Sequence, residues 1–493
     1  MSKLSLAEKA GFIGIGRFLR TLSKLLFALI LVRLLSKYDF GTYRQIFLLY
    51  NLFSVIFFLG IPTSIYYFFP QFDTETSKKF IIQSELALFF LGILLGAIFL
   101  ATSGLIGRHF SNPSIPEYMK WFAFYPMLDF PVQVLSPLLI CYDKHKLSAV
   151  ANIVFVFTFL LSLLVPIVLG RPLIDSFISL ILVSSIQLLI VGVIIFKLVG
   201  GFRVWLDFNL LISQLKYSVP LGLSSFATVI SRELDKLVIG FFFLPQVFAV
   251  YVIGARELPF VTIIPYAVSS TLFPKFVTMY KEKRNTELIN LWHKATIKSS
   301  LILLPMSVAF FISADEIIEI LYTSSYLECV PVFRYYLFLM LIHVTAFDSL
   351  VLSLGLPKLV LYGSVAGILL NVILNVLMIK LFGFAGPAIA TVVVSYMITY
   401  YLLRIIKKKT GTRWSKVFPW KKYLLILVVS ILSGLLVLPV QMLAIPVIFK
   451  FLLLCISYSI VYFLIAKKCH LLSKEDEKFI KNWVTFKVFY KQT

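Results

Sequence analysis

The sequence predicts an all-α integral membrane protein with about fourteen transmembrane helices, built as two pseudo-symmetric six-helix lobes plus a C-terminal helix pair. Three observations predict the membrane helices, and a faint internal repeat predicts the lobes. Of the 493 residues, 60% are hydrophobic and only 14% are charged. A soluble domain carries about 25% charged residues, so this chain cannot cover a globular surface. Apolar runs of about 18–25 residues recur along the whole chain, each long enough to cross a hydrocarbon core of roughly 30 Å. Lysine and arginine collect in the short gaps between the runs, the pattern that orients helices in a membrane. Lipid offers the backbone no partners, so the spans must be helices or a closed barrel. The strict polar–apolar alternation of barrel strands is absent, which leaves helices.

The runs fall at 12–35, 43–69, 80–106, 119–142, 147–169, 174–198, 216–243, 247–273, 295–313, 331–354, 358–380, 384–406, 422–441 and 445–466. The first carries Arg17, Arg20, Lys24 and Arg33 and has no small-residue cleavage site after it, so we expect a retained span rather than a signal peptide. The long exterior connections and the cytoplasmic ones expected at Thr278–Ala295 and Lys407–Lys421 are all far shorter than the roughly 50 residues of a small domain, and no catalytic domain or enzyme activity is expected.

A net charge of +23 would suggest nucleic acid in a soluble protein. Here its placement argues for topology instead. With a cytoplasmic N-terminus, the cytoplasmic gaps collect Lys78, Lys79, Lys144, Lys146, Lys281, Lys283, Arg284 and the Lys407–Lys421 stretch, and the basic tail joins them. The opposite side receives few cations and the acidic group Asp315, Glu316, Glu319 and Glu328. Both termini are therefore expected in the cytoplasm. Cys141, Cys329, Cys455 and Cys469 form no C-x-x-C pair, and the five histidines make no ligand-spaced cluster. Neither a metal nor a cofactor is implied.

The chain also carries a faint internal repeat. Phe69-Pro70-Gln71-Phe72 matches Phe273-Pro274-Lys275-Phe276, Phe40 and Tyr43 match Phe248 and Tyr251, and Lys146-Leu147 matches Lys358-Leu359. The offsets lie between 204 and 212 residues. An even number of spans per half gives both halves the same orientation, a parallel repeat common among transporters. The expected division is an N-terminal lobe at 1–200, a C-terminal lobe at 201–410, and a terminal pair with a basic tail at 411–493.

Charges inside spans are costly unless they face a bundle interior or water, so they are the informative residues. Arg17, Arg20 and Lys24 share one helical face by spacing. Arg232 and Lys236 are i, i+4 in the seventh run, beside Glu233 and Asp235, and Arg256 with Glu257 falls in the eighth. We expect Arg17, Arg20, Lys24, Arg232, Lys236 and Arg256 to line a basic, water-filled cavity for an anionic group, most plausibly phosphate, because a guanidinium binds phosphate through two parallel charge-assisted bonds. The competing reading is snorkelling for the first three and internal salt bridges for Arg232–Asp235 and Lys236–Glu233. Asp129, Asp235 and Asp348 are candidates for coupling to an ion gradient.

Three stretches carry a family resemblance. They are Leu34-Leu35-Ser36-Lys37-Tyr38-Asp39-Phe40-Gly41-Thr42-Tyr43; Glu233-Leu234-Asp235-Lys236-Leu237-Val238-Ile239-Gly240 with Val250-Tyr251; and Gly355-Leu356-Pro357-Lys358 with Asn371, Asn375 and Phe382–Thr391. In order, they resemble the Wzx-type oligosaccharide-lipid flippases of the polysaccharide transporter family, within the MOP superfamily that includes the MATE exporters and the lipid II flippase. Pro387, where Ala is common, and Ala249, where Gly is frequent, depart from the pattern without touching the charged residues.

The resemblance implies a non-enzymatic flippase. It would move a polyprenyl-diphosphate-linked oligosaccharide, an O-antigen or other surface polysaccharide unit, across the cytoplasmic membrane by alternating access. The implied partners are that lipid-linked oligosaccharide, membrane lipids and polysaccharide assembly enzymes, with no nucleic acid. The competing functions are a MATE-like multidrug or cation exporter, which would need an acidic cavity, and a membrane glycan polymerase or ligase. For the latter, His109 and Glu117 are the only obvious exterior candidates.

Overall fold

The computed structural model describes residues 23, 26–201, 207–256 and 259–471, with backbone alone at 259–263, 266 and 267. The described residues are helical throughout and contain no strand. Residues 26–34 end helix α1. There follow α2 (Lys37–Phe57), α3 (Ile61–Phe68), α4 (Thr74–His109), α5 (Ile115–Phe122), α6 (Tyr125–Val132), α7 (Leu135–Cys141), α8 (His145–Val168), α9 (Leu173–Val199), α10 (Phe208–Phe242) and α11 (Pro245–Gly254). Then come α12 (Pro259–Lys281), α13 (Asn285–Ile312), α14 (Ala314–Tyr322), α15 (Val330–Ile342), α16 (Phe347–Ser353), α17 (Pro357–Phe382), α18 (Gly386–Thr410), α19 (Trp414–Val417), α20 (Trp420–Val437) and α21 (Val447–Lys468).

Among the described residues, nine helical stretches are long and apolar enough to cross a membrane, and ten if the α5–α7 stretch, bent by 45°, is one span. Among the described residues, the apolar runs from 43–69 onward fall on helix, some of them broken. The shortfall from fourteen has physical causes. α1 is described only over its last turns, and α17 with α18 forms one 54-residue stretch. α10 is 35 residues long but carries Arg232, Glu233, Asp235 and Lys236 among many serines, so its composition falls outside that of a simple span.

The chain divides into two compact units, Met1–Val252 and Ile253–Thr493. In the first, α4 packs against α5 and α6, α9 against α6 and α8, and α10 against α2 and α3. Its centre is aromatic: Phe47 meets Phe122, Tyr125, Phe159 and Phe177 with ring centroids 5.2–6.5 Å apart. In the second, α13 packs against α12, α15 and α20, α17 pairs with α18, and α21 lies on α20 and α14.

The repeat is visible in helix boundaries. Starts recur at Lys37 and Pro245, 208 residues apart; at Thr74 and Asn285, 211 apart; at Leu135 and Phe347, 212 apart; and at His145 and Pro357, 212 apart. The motif residues explain themselves locally. Ser36 caps α2 by accepting from the Asp39 N–H at 3.0 Å. Gly41 lets α2 approach the start of α11, because a Cβ there would lie 2.0 Å from the Pro245 carbonyl oxygen. Gly60, at φ +70°, turns α2 into α3 and touches the backbone of α10 at Ser218 and Gly222.

Several boundaries differ from the sequence expectation. The eighth run is two helices, so Arg256 lies in the break between α11 and α12 rather than inside a span. Pro259 opens the second of them, and proline disfavours helix in the residue before it. The second, fourth and tenth runs are likewise broken, at 58–60, at 123–124 with a further break at 133–134, and at 343–346. The wide gap expected at Thr278–Ala295 shrinks to three residues, because α12 continues to Lys281 and α13 starts at Asn285. The acidic outer group is largely a helix, α14.

Candidate functional site

The first polar node is at the end of α10. Asp235 is only 2% exposed, and a buried carboxylate is costly unless partnered. Its partners come from chain neighbours and from α11. The Tyr251 hydroxyl donates to Asp235 Oδ2 at 2.9 Å, and Lys236 Nζ lies 3.6 Å from Oδ1. The same ammonium reaches Glu233 Oε2 at 3.2 Å and donates to the Arg232 carbonyl at 3.0 Å. Lys236 is thus taken up by carboxylates of its own helix. Arg232 is exposed, with no carboxylate against it among the described residues. Arg256 is half-buried just past α11. Arg17, Arg20 and Lys24 lie outside the described residues.

The second node is on α6. Asp129 is half-buried. It accepts from the Tyr50 hydroxyl of α2 in a short bond and from Gln133 Nε2 at 3.1 Å, with Tyr125 beside it. Tyr125, Asp129 and Gln133 are spaced i, i+4, i+8 on one face. Tyr50 is brought to that face from another helix. Asp348, by contrast, is exposed in the first turn of the seven-residue helix α16.

Other polar groups were missed because serine, glutamine and asparagine carry no charge signal. On α10, Gln214 donates to Ser64 at 3.0 Å and to Ser84 at 2.9 Å, all three side chains being buried. Asn112 donates to Thr42 at 2.9 Å and to Gln45 at 2.7 Å, while the Tyr38 hydroxyl donates to Asn112 Oδ1 at 2.8 Å. These bonds give Tyr38 and Thr42 of the first motif their structural role. The motif residues Asn371 and Asn375 are buried on α17 and bonded to each other. Arg334 pairs with Asp315 at 2.5 Å and lies over the Phe311 ring. Of the enzyme candidates, His109 is bonded to the Leu105 carbonyl at 2.9 Å and Glu117 is exposed. Among the described residues no three His, Cys, Asp or Glu side chains are grouped to hold a metal, and no cysteine forms a disulfide.

Long apolar helices, a doubled helix order and carboxylates bonded by tyrosines between helices describe a polytopic helical membrane protein. A family profile described as "Polysaccharide biosynthesis protein" matches residues 30–331, and the chain belongs to that family. This agrees with the resemblance to Wzx-type flippases of the polysaccharide transporter family. The chain is 27% identical over 183 residues to the probable low-salt glycan biosynthesis flippase Agl15 of Haloferax volcanii; the match spans 36% of this chain and 37% of that protein. Its fold is shared with solved structures of membrane transporters. The structure of the lipid II flippase MurJ, inward closed, matches with a TM-score of 0.68 at 15% identity, covering 94% of this chain and 99% of that one. An inward-facing multidrug resistance MATE transporter of the MOP superfamily matches with a TM-score of 0.61 at 13% identity, covering 80% and 96%.

Proposed function

We propose that the protein is a flippase carrying a polyprenyl-diphosphate-linked oligosaccharide across the cytoplasmic membrane by alternating access. The observation that carries this reading is cationic charge on helices of membrane depth in a polysaccharide biosynthesis chain, above all the exposed Arg232 on α10. A guanidinium with no carboxylate against it among the described residues, on a helix too polar for a plain span, suits a diphosphate. Arg17, Arg20, Lys24 and Arg256 would join it, and Lys236 would do so only after leaving Glu233 and Asp235. Asp129, Asp235 and Asp348 are the proposed ion-coupling groups. The proposal includes lobes at 1–200 and 201–410, a terminal pair at 411–493, both termini in the cytoplasm, and assembly enzymes as neighbours. The relative named as a glycan biosynthesis flippase supports the substrate class.

The test is surface glycan in cells whose only copy is Arg232→Ala or Arg256→Ala, with membrane abundance measured in parallel. Loss of glycan at normal abundance is expected. Normal glycan with either variant removes that arginine from the reading. A multidrug exporter, the second reading offered by the shared fold, would instead confer resistance to cationic drugs and leave glycan untouched.

A further inference from the structure

We propose that the connection from the end of α18 to the start of α20 is a preformed docking surface for anionic phospholipid head groups. The inference does not rest on the transport reading. Eight Lys and Arg residues lie between Arg404 and Lys422, and the sequence has no Asp or Glu at all from 349 to 474. Lys408, Lys409, Lys421 and Lys422 are all exposed.

A solvated lysine run needs no scaffold, but this one has one. Phe418 is buried against Trp292, Phe347 and Tyr423, with ring centroids 6.0, 6.0 and 5.3 Å away. His293 of α13 meets the Val417 carbonyl at 3.2 Å, and Asn285 donates to the Thr410 carbonyl at 3.4 Å. The connection is therefore fixed onto α13. Trp414 stacks on Tyr400 with centroids 5.5 Å apart and planes 4° from parallel, and Lys407 Nζ sits 5.2 Å over its ring. The Trp420 indole N–H donates to the Trp414 carbonyl at 3.0 Å.

Tryptophan and tyrosine settle at head-group depth, and basic residues beside them attract anionic lipid. The fixed backbone holds the cations in register with one membrane surface. The carboxylates on the elements packed against this connection are Asp348, exposed beside Phe347 in the first turn of α16, and Glu282 and Glu287 beside Asn285, both of which pair with Arg284. Eight cations against these leave the face positive.

The experiment reconstitutes the full chain with phosphatidylcholine and spin-labelled phosphatidylglycerol or phosphatidylcholine, and reads the motionally restricted lipid fraction. The wild type is expected to prefer labelled phosphatidylglycerol by about threefold or more at low salt, and the preference should fall steeply in high salt as screening takes over. Exchanging Lys408, Lys409, Lys421 and Lys422 together for Gln should abolish most of the preference. Exchanging the same four for Arg should keep it, and Lys467→Gln with Lys468→Gln should leave most of it. Equal preference in the Gln and Arg sets, or a wild-type preference insensitive to salt, overturns the proposal. So does selective retention of a polyprenyl diphosphate with no retention of phosphatidylglycerol. The wild-type salt arm decides the matter even if the fourfold Gln variant fails to insert.

Discussion

Asp235 and Asp129 are both carboxylates of the first unit bonded by a tyrosine hydroxyl, yet their surroundings differ in kind. Asp235 is nearly inaccessible, and its partners include an ammonium on the adjacent residue. Asp129 is half-buried on a broken span, and its partners include the Tyr50 hydroxyl and the Gln133 amide. The contrast teaches that burial and partner type separate the two: Asp235 has a charged partner in Lys236 and is sealed from solvent, whereas Asp129 keeps part of its surface open and links α6 to α2 through Tyr50.

The sharpest way to break this comparison is Lys236→Met. Removing one member of a buried pair costs about 3–5 kcal/mol, so the folded yield or thermal midpoint in detergent should fall severely. The double variant Lys236→Met with Asp235→Leu should recover much of that loss, and additive losses would mean that the two side chains do not act as a pair. Next in size is Gly41→Leu, whose side chain meets the Pro245 carbonyl; a loss of about 2 kcal/mol or more is expected, read by the same midpoint. Tyr251→Phe should cost about 1–3 kcal/mol, since it strips a bond from a buried carboxylate, whereas Tyr50→Phe should cost less. Equal effects of the two tyrosine changes would erase the distinction between the nodes. The smallest expected stability effect is that of Arg232→Ala, within about 0.5 kcal/mol of wild type, as for an exposed surface side chain.

Much of the fold was legible because the bilayer imposes it. Span length and backbone satisfaction fix helix and placement from composition alone, and among the described residues the apolar runs from 43–69 onward fell on helix. The repeat was legible through Phe40 and Phe248, whose helices start 208 residues apart. The breaks were harder to read. Hydropathy sees the apolar run 247–273 as continuous, but the chain leaves helix near Arg256 and resumes at Pro259. At the polar nodes the sequence supplied Asp129 and Asp235, but neither Gln133 nor the tertiary partners. Tyr50 reaches Asp129 across 79 positions and Gln214 reaches Ser64 across 150, distances at which no local pattern operates. The Lys236–Glu233 contact was legible, being i, i+3 on one helix.

The central claim is that this chain moves a diphosphate-linked oligosaccharide and that Arg232 belongs to the moving machinery rather than to the scaffold. It is tested most directly in proteoliposomes carrying a fluorescent polyprenyl-diphosphate oligosaccharide, with leaflet exposure read by a reagent that cannot cross the membrane. The account predicts protein-dependent exposure that falls at least about tenfold with Arg232→Ala at unchanged thermal midpoint, the size expected when a charge-assisted contact to phosphate is lost. Exposure no faster than in protein-free vesicles, or equal exposure by the wild type and Arg232→Ala, would contradict it.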